Sequence, residues 1–118
     1  MKFARWVFAA AAIYGFLSLP PLYFIERLAV PPISHPEYYY GFIGTALAFQ
    51  IVFAMVARDP ARLRAVMPAC MVEKLTFVVA LIWLGALGRI AMPLPIFGAI
   101  DATLFVLFVA AYAKTPKA

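Results

Sequence analysis

The chain has 118 residues, of which 67% are apolar and 13% charged. A water-soluble domain of that length has too much surface for its volume to hide so much apolar area. Lipid itself solvates apolar faces, so the composition excludes an ordinary soluble fold and points to a single integral membrane domain, residues 1–118. The net charge of +5 does not signal a nucleic-acid partner, because the basic residues sit at the ends of apolar runs and not in an aromatic-interleaved patch. One cysteine, Cys70, excludes an internal disulfide and any cysteine-based metal cluster.

Four apolar stretches follow one another, at about residues 6–25, 38–57, 69–87 and 94–113. Each is close to the roughly 20 residues a helix needs to cross a hydrocarbon core, and a helix satisfies its own backbone hydrogen bonds there. The pattern predicts an all-α protein, a four-transmembrane-helix antiparallel bundle. Lys2 and Arg5 before the first stretch resemble a signal peptide's basic start. The run is too long for one, and Tyr14 and Phe16 stand where small residues would be needed, so it reads as a retained membrane helix. Pro20 and Pro21 kink that helix near its far end, while Pro31, Pro32, Pro36, Pro60, Pro68, Pro93 and Pro95 fall in connections or at helix starts.

Ser34-His35-Pro36-Glu37 has the spacing of a capping box, with Ser34 as N-cap of the second helix. Asp59-Pro60 reads as an N-cap followed by proline at the first helical position. It predicts a short interfacial helix over residues 61–67, between helices two and three, that Pro68 ends. Residues 88–93 form a tight turn, and residues 115–118 a frayed tail. Counting Lys and Arg sets the orientation. Lys2, Arg5, Arg58, Arg62, Arg64, Lys74, Lys114 and Lys117 fall on one side, against Arg27 and Arg89 on the other. Both termini are therefore expected to be cytoplasmic, in a multi-pass protein of the cell inner membrane. Ala11/Gly15, Gly44/Ala48 and Gly98/Ala102 have small-xxx-small spacing, which permits close helix approach and oligomerisation.

Glycine-rich phosphate loops, nucleophile elbows and His/Cys metal clusters are absent, so neither cofactor nor metal is expected and no catalytic residue is assigned. Asp101 is the most informative residue. It lies seven residues inside the fourth stretch, roughly 10 Å below the outer surface at the rise of an α-helix. A carboxylate there is costly unless paired, hydrated or protonated. It is either a proton or ligand site or a hydrogen bond to a neighbouring helix. The outer-side cations open to it are Arg27, Arg89 and His35. Helical spacing puts Asp101 on one face with Phe97, Gly98, Phe105 and Phe108, turned to the bundle interior near Ser18, Thr45 or residues 38–40. A deeper layer holds Tyr14, Gln50 and Thr76, with Glu73 one turn further. These groups form either a polar seam or ordinary interhelical hydrogen bonds. Glu73 would pair with Arg58 or Arg64 at the membrane surface. His35, Glu37 and Tyr38-Tyr39-Tyr40 are either the mouth of a ligand cavity or a helix cap and an aromatic belt. Arg62 and Arg64 would bind anionic lipid headgroups.

His35-Pro36-Glu37-Tyr38-Tyr39-Tyr40-Gly41-Phe42, then Gln50, Asp59-Pro60-x-Arg62-x-Arg64, Glu73-Lys74 and Asp101, resembles a family of small bacterial four-helix inner-membrane proteins, over about residues 26–112. That resemblance implies fold and location and carries no activity. A fainter similarity, in the general cast of residues only, is to the emopamil-binding type of four-helix membrane protein, which holds sterol-like ligands between helices. No site is carried over from it. The expectation is a protein that binds a lipid-like or other apolar small molecule in an outward-facing pocket lined by Asp101, Thr45, Ser18, Tyr40, His35 and Glu37. The alternatives are a small proton-coupled transporter with Asp101 as coupling carboxylate, and an isomerase-like membrane enzyme using His35 and a carboxylate.

Overall fold

A computed structural model describes residues 2–29 and 32–116, so Pro31 and Lys117 lie outside the described residues. Four helices carry the fold: α1 (Lys2–Ser18), α2 (Pro36–Arg58), α3 (Met67–Ala86) and α4 (Leu94–Lys114). With their 3-10 extensions, Lys2–Phe24, Pro36–Arg58, Arg64–Ala86 and Leu94–Lys114 are each long and apolar enough to cross a membrane. No strand occurs among the described residues. Trp6, Leu17, Phe24, Ile82, Trp83 and Val106 are exposed on the outside of the bundle, as expected where lipid is the solvent.

The contacts run in opposite sequence order within each packed pair. Arg5 Nη1 donates to Arg58 O (3.0 Å) at one end of α1 and α2, and Tyr39 Oη donates to Leu22 O (2.6 Å) at the other. Lys114 Nζ sits over the Phe3 ring, and Phe8 stacks on Phe108. α1 packs on α2 and α4, and α3 packs on α4, whereas α2 and α3 scarcely touch. The core lies in the half of the bundle nearer the termini. Phe8, Phe53 and Phe108 are fully buried there. Phe8 and Phe108 are stacked at 4.3 Å, and Phe53 meets Phe108 edge-on at 5.1 Å. Aromatic pairs of this kind add about 1 kcal/mol each beyond their buried area.

Several local expectations are corrected. Pro20 and Pro21, which lack an N–H, stop the α-helix at Ser18 and turn the chain into a 3-10 segment, Pro20–Phe24. Its freed Leu22 carbonyl takes the Tyr39 hydroxyl. His35, not Ser34, is the N-cap of α2, and no side chain caps that helix. Pro36 occupies the first turn and holds the preceding residue out of the helical region, with His35 at φ −131°, ψ 75°. Glu37 Oε1 instead lies 3.6 Å from His35 Nδ1.

Residues 60–63 form turns and Arg64–Val66 a 3-10 turn that runs into α3, so the connection holds no interfacial α-helix. Pro68 starts α3 rather than ending anything, being in its first turn where a missing N–H costs nothing. Asp59 does cap the turn, its Oδ1 accepting from the Arg62 N–H at 3.4 Å. Thr115 is not frayed. It is buried, its hydroxyl donates to Ala111 O (2.7 Å), and its carbonyl accepts from Arg64 Nε (2.8 Å). α3 closes with the expected tight turn. Arg89 N–H donates to Leu84 O (2.8 Å) and Gly88 N–H to Gly85 O (3.0 Å), the Schellman pattern, with Gly88 at φ +68° where only glycine is unstrained.

Two of the small-residue positions are true close approaches. A Cβ on Gly15 would overlap the Gln50 side chain from Oε1 back to Cγ, so the amide side chain would have to leave from its root. A Cβ on Gly98 would meet only the tip of Leu81, at 2.7 Å from Cδ1, which can rotate away. Gly44 and Ala48 are exposed, and a Cβ on Gly44 would meet Tyr23 Oη only at an ordinary contact distance of 3.7 Å. Gly15→Ala should therefore destabilise the protein by about 2 kcal/mol, the usual range for overpacking, and Gly98→Ala by clearly less. Unfolding in mixed micelles checks the order, and equal losses would contradict it.

Candidate functional site

The space that α2 and α3 leave between them is a cavity of about 1140 Å³, lined by residues of all four helices. Its upper wall is apolar, with Leu22, Phe42, Phe49, Phe77 and Phe97 among its residues, and Glu37 and Tyr38 stand at the end remote from the termini. Phe42 of α2 and Phe77 of α3 stack at 6.3 Å and 20°, the main contact across the gap at that level. Deeper down the lining becomes polar, with Tyr14, Gln50, Glu73, Lys74 and Asp101.

Lys74 organises this floor. Its side chain is 4% exposed, and its ammonium lies 3.3 Å from Asp101 Oδ1 and 3.5 Å from Glu73 Oε2. The Asp101 contact is a hydrogen bond, with Lys74 donating. The ammonium also sits 5.2 Å from the centroid of the Phe53 ring, a cation–π distance. One cation thus ties α3 to α4 through Asp101 and to α2 through an aromatic face. The depth follows from where α3 begins. Starting at Met67, Lys74 is seven residues in, roughly 10 Å along the axis. Met67, Cys70, Lys74 and Leu81 are the buried residues of α3 and form one stripe at helical spacing. The lysine thus replaces an apolar core residue and does not reach for the surface as a peripheral lysine would.

Asp101 faces the bundle interior as expected, on the buried stripe Gly98, Asp101, Leu104, Phe108 and Ala111. Leu104 stands there in place of the expected Phe105. Its cation is Lys74, and not Arg27, Arg89 or His35. Nor does Glu73 use Arg58 or Arg64. The Arg58 carbonyl takes Arg5, and the Arg64 guanidinium binds Thr115 O and lies 3.9 Å above the Tyr112 ring. Arg64 is therefore spent on holding the end of α4, which leaves Arg62, exposed, as the headgroup candidate of the two.

The cavity brings together Ser18, Thr45, Tyr14, Gln50, Thr76, Glu73, Glu37 and Asp101. The Thr76 hydroxyl is already used by its own helix, donating to Val72 O (2.9 Å) and Glu73 O (3.3 Å). Gln50 is 2% exposed. Its Nε2 donates to Ala46 O at 2.8 Å, while its Oε1 has no partner, and neither does Glu73 Oε2 beyond its ion-pair distance to Lys74.

Two expected members stand apart. Tyr40 Oη donates to Glu26 Oε1 (3.3 Å), and its ring stacks on Tyr23 at 5.8 Å. Tyr39 and Tyr40 together strap the segment after α1 onto α2. His35 has a side chain 67% exposed, is not among the cavity-lining residues, and leaves the isomerase reading without its acid–base group. Among the described residues no group of three His, Cys, Asp or Glu side chains is placed to hold a metal ion. Comparison of the chain with family models, with curated proteins and with solved structures finds no match in any of the three.

Because two carboxylates share one ammonium, removing the two ends of the Lys74–Asp101 pair should have unequal effects. Lys74→Met strands both acids and should destabilise by about 3 kcal/mol, the scale for breaking a buried ion pair. Asp101→Asn leaves Lys74 with Glu73 and should cost about 1 kcal/mol. In the double variant the losses should fall short of additive by about 1 kcal/mol or more. Equilibrium unfolding of the three variants in mixed micelles measures this cycle, and strict additivity would refute the pairing.

Proposed function

We propose that the chain is a membrane-embedded binding protein that takes an amphipathic, largely apolar small molecule into the cleft between α2 and α3. One observation carries this reading. A cavity of about 1140 Å³ has aromatic and aliphatic walls and a floor of Gln50, Glu73, Lys74 and Asp101. Apolar walls with a few convergent polar groups are the usual make-up of small-molecule sites. The slight contact between α2 and α3 supports entry from the side, through the bilayer. Ser18, Thr45, Tyr38 and Glu37 would contact the bound molecule nearer the mouth.

A second reading, proton-coupled transport through Asp101, draws on the burial of that carboxylate within the bundle. The two differ in outcome. Binding alone predicts a tightly held molecule and no proton flux. Transport predicts substrate-driven acidification inside proteoliposomes that Asp101→Asn abolishes.

The orientation belongs to the same proposal. Lys2, Arg5, Arg58, Arg62, Arg64 and Lys114 gather at the end of the bundle that carries the termini, against Arg27 and Arg89 at the other. That bias favours cytoplasmic termini in the inner membrane, with the cleft mouth on the opposite side and Arg62 at the anionic inner leaflet.

Native mass spectrometry of the purified protein should find a lipophilic molecule bound at one per chain, and Thr45→Trp, which fills the cleft, should release it. Retention by that variant would remove the cleft as the site. Single cysteines at position 62 or 89, in a Cys70→Ala chain, should label from the cytoplasmic and the outer side respectively. The reverse pattern would invert the orientation.

A further inference from the structure

The lining of the cleft carries excess negative charge. Its charged lining residues are Glu37, Glu73, Asp101 and Lys74, three acids against one base. The base is fully engaged, with its ammonium held by Asp101 and Glu73 and roofed by the Phe53 ring. On the floor the buried Gln50 Oε1 has no donor, and Glu73 Oε2 has only the shared Lys74 ammonium, at 3.5 Å. A buried acceptor left without a donor works against the fold. Gln50 cannot turn its oxygen away cheaply, because its amide nitrogen is tied to Ala46 O and its oxygen packs against Gly15.

We propose that the molecule taken by this cleft is a cationic amphiphile, a long apolar chain or ring system ending in a protonated amine. This deepens the binding reading above and rests on it. An ammonium head supplies up to three N–H donors. It would reach Glu73 after a small side-chain adjustment and offset the surplus acid, while the apolar body lies along Phe49, Phe77 and Phe97. A phosphate or carboxylate head finds no free cation on the lining and meets three carboxylates instead. That excludes fatty acids and phospholipids, aminophospholipids included, whose phosphate would have to enter with the amine. A bare inorganic cation would satisfy the charge but leave the apolar volume without a purpose.

The test uses three probes of one chain length, tetradecylamine, tetradecanol and tetradecanoate, added to the full-length protein in neutral detergent. The readout is the unfolding temperature and the apparent dissociation constant, with sodium chloride varied in parallel. The amine should bind at least about tenfold more tightly than the alcohol, a difference of about 1.4 kcal/mol, and the alkanoate should not shift the unfolding temperature. Glu73→Gln should remove most of the amine's advantage over the alcohol. Thr45→Trp separates a cleft effect from a micelle effect and should abolish the amine shift. The wild-type comparison of the three heads stands even if Glu73→Gln fails to fold. Alcohol or alkanoate binding equal to that of the amine would overturn the headgroup while keeping the cleft as a site. Stabilisation by sodium alone, lost in Glu73→Gln and without an amine effect, would also overturn it. Absence of any probe binding sensitive to Thr45→Trp would overturn both the headgroup and the binding reading.

Discussion

The ammonium of Lys74 is the group on which the rest of this bundle depends. It lies inside an apolar helix at a position where its neighbours on the buried stripe are Met67, Cys70 and Leu81, and a charge there is tolerable only with partners. Those partners come from every side: Asp101 from α4, Glu73 from α3 itself, and the face of Phe53 from α2. Ion pairs of this kind add little net stability over an apolar core, because desolvating the charges offsets much of their attraction. What they do supply is selection. Any register of α3 on α4 other than the one that joins Lys74 to Asp101 leaves unpaired charge in a low-dielectric interior. Gly98 admits Leu81 one level away, so sterics and charge specify the same register.

The cleft is a consequence of how that register meets the aromatic core. Phe8, Phe53 and Phe108 lock α1, α2 and α4 together in the half of the bundle nearer the termini. α3 joins that core chiefly through α4. In the other half, Tyr39 and Tyr40 hold the segment after α1 against α2, which draws those two elements together and away from α3. The Phe42–Phe77 stack is what remains across the gap. An apolar pocket with a charged base therefore forms where two well-packed hairpins fail to close.

Much of this architecture was legible in the sequence. Four apolar stretches gave four helices within a few residues of their ends, because length and composition are strong signals when lipid is the solvent. Asp101 was recognisable as an inward-facing residue for the same energetic reason. The local starts and stops were less legible where proline was involved. Pro68 has the same intrinsic effect on the chain whether it ends one helix or begins the next, and only its neighbours decide. Reading it as a stop placed Lys74 at the membrane surface, as one more topogenic charge, and hid the partner of Asp101. The signal that could have found it was the stripe Met67, Cys70, Lys74, Leu81. A lysine on the apolar face of a spanning helix calls for an acid on a facing helix, and Asp101 is the only aspartate within the fourth stretch. The strap made by Tyr39 and Tyr40 was not legible, since its acceptors, Leu22 O and Glu26, become available only once Pro20 and Pro21 have unwound the end of α1.

The proposed function rests on the mismatch between what the floor of the cleft holds and what it lacks. A bundle that needed its ion triad for register alone would be expected to satisfy every group around it, because each orphaned acceptor works against the fold. Here Lys74 is saturated while Gln50 Oε1 has no donor and Glu73 Oε2 has only the shared ammonium, at 3.5 Å, and Gly15 is kept small in a way that holds the Gln50 oxygen in place. Both groups border the one large cavity described, and both are acceptors short of donors. A floor with surplus acceptors, beside apolar walls, is suited to a partner that brings donors at one end and hydrocarbon at the other. On the proposed reading stability and binding draw on the same side chains, since the acid that helps to neutralise Lys74 would also face a bound molecule.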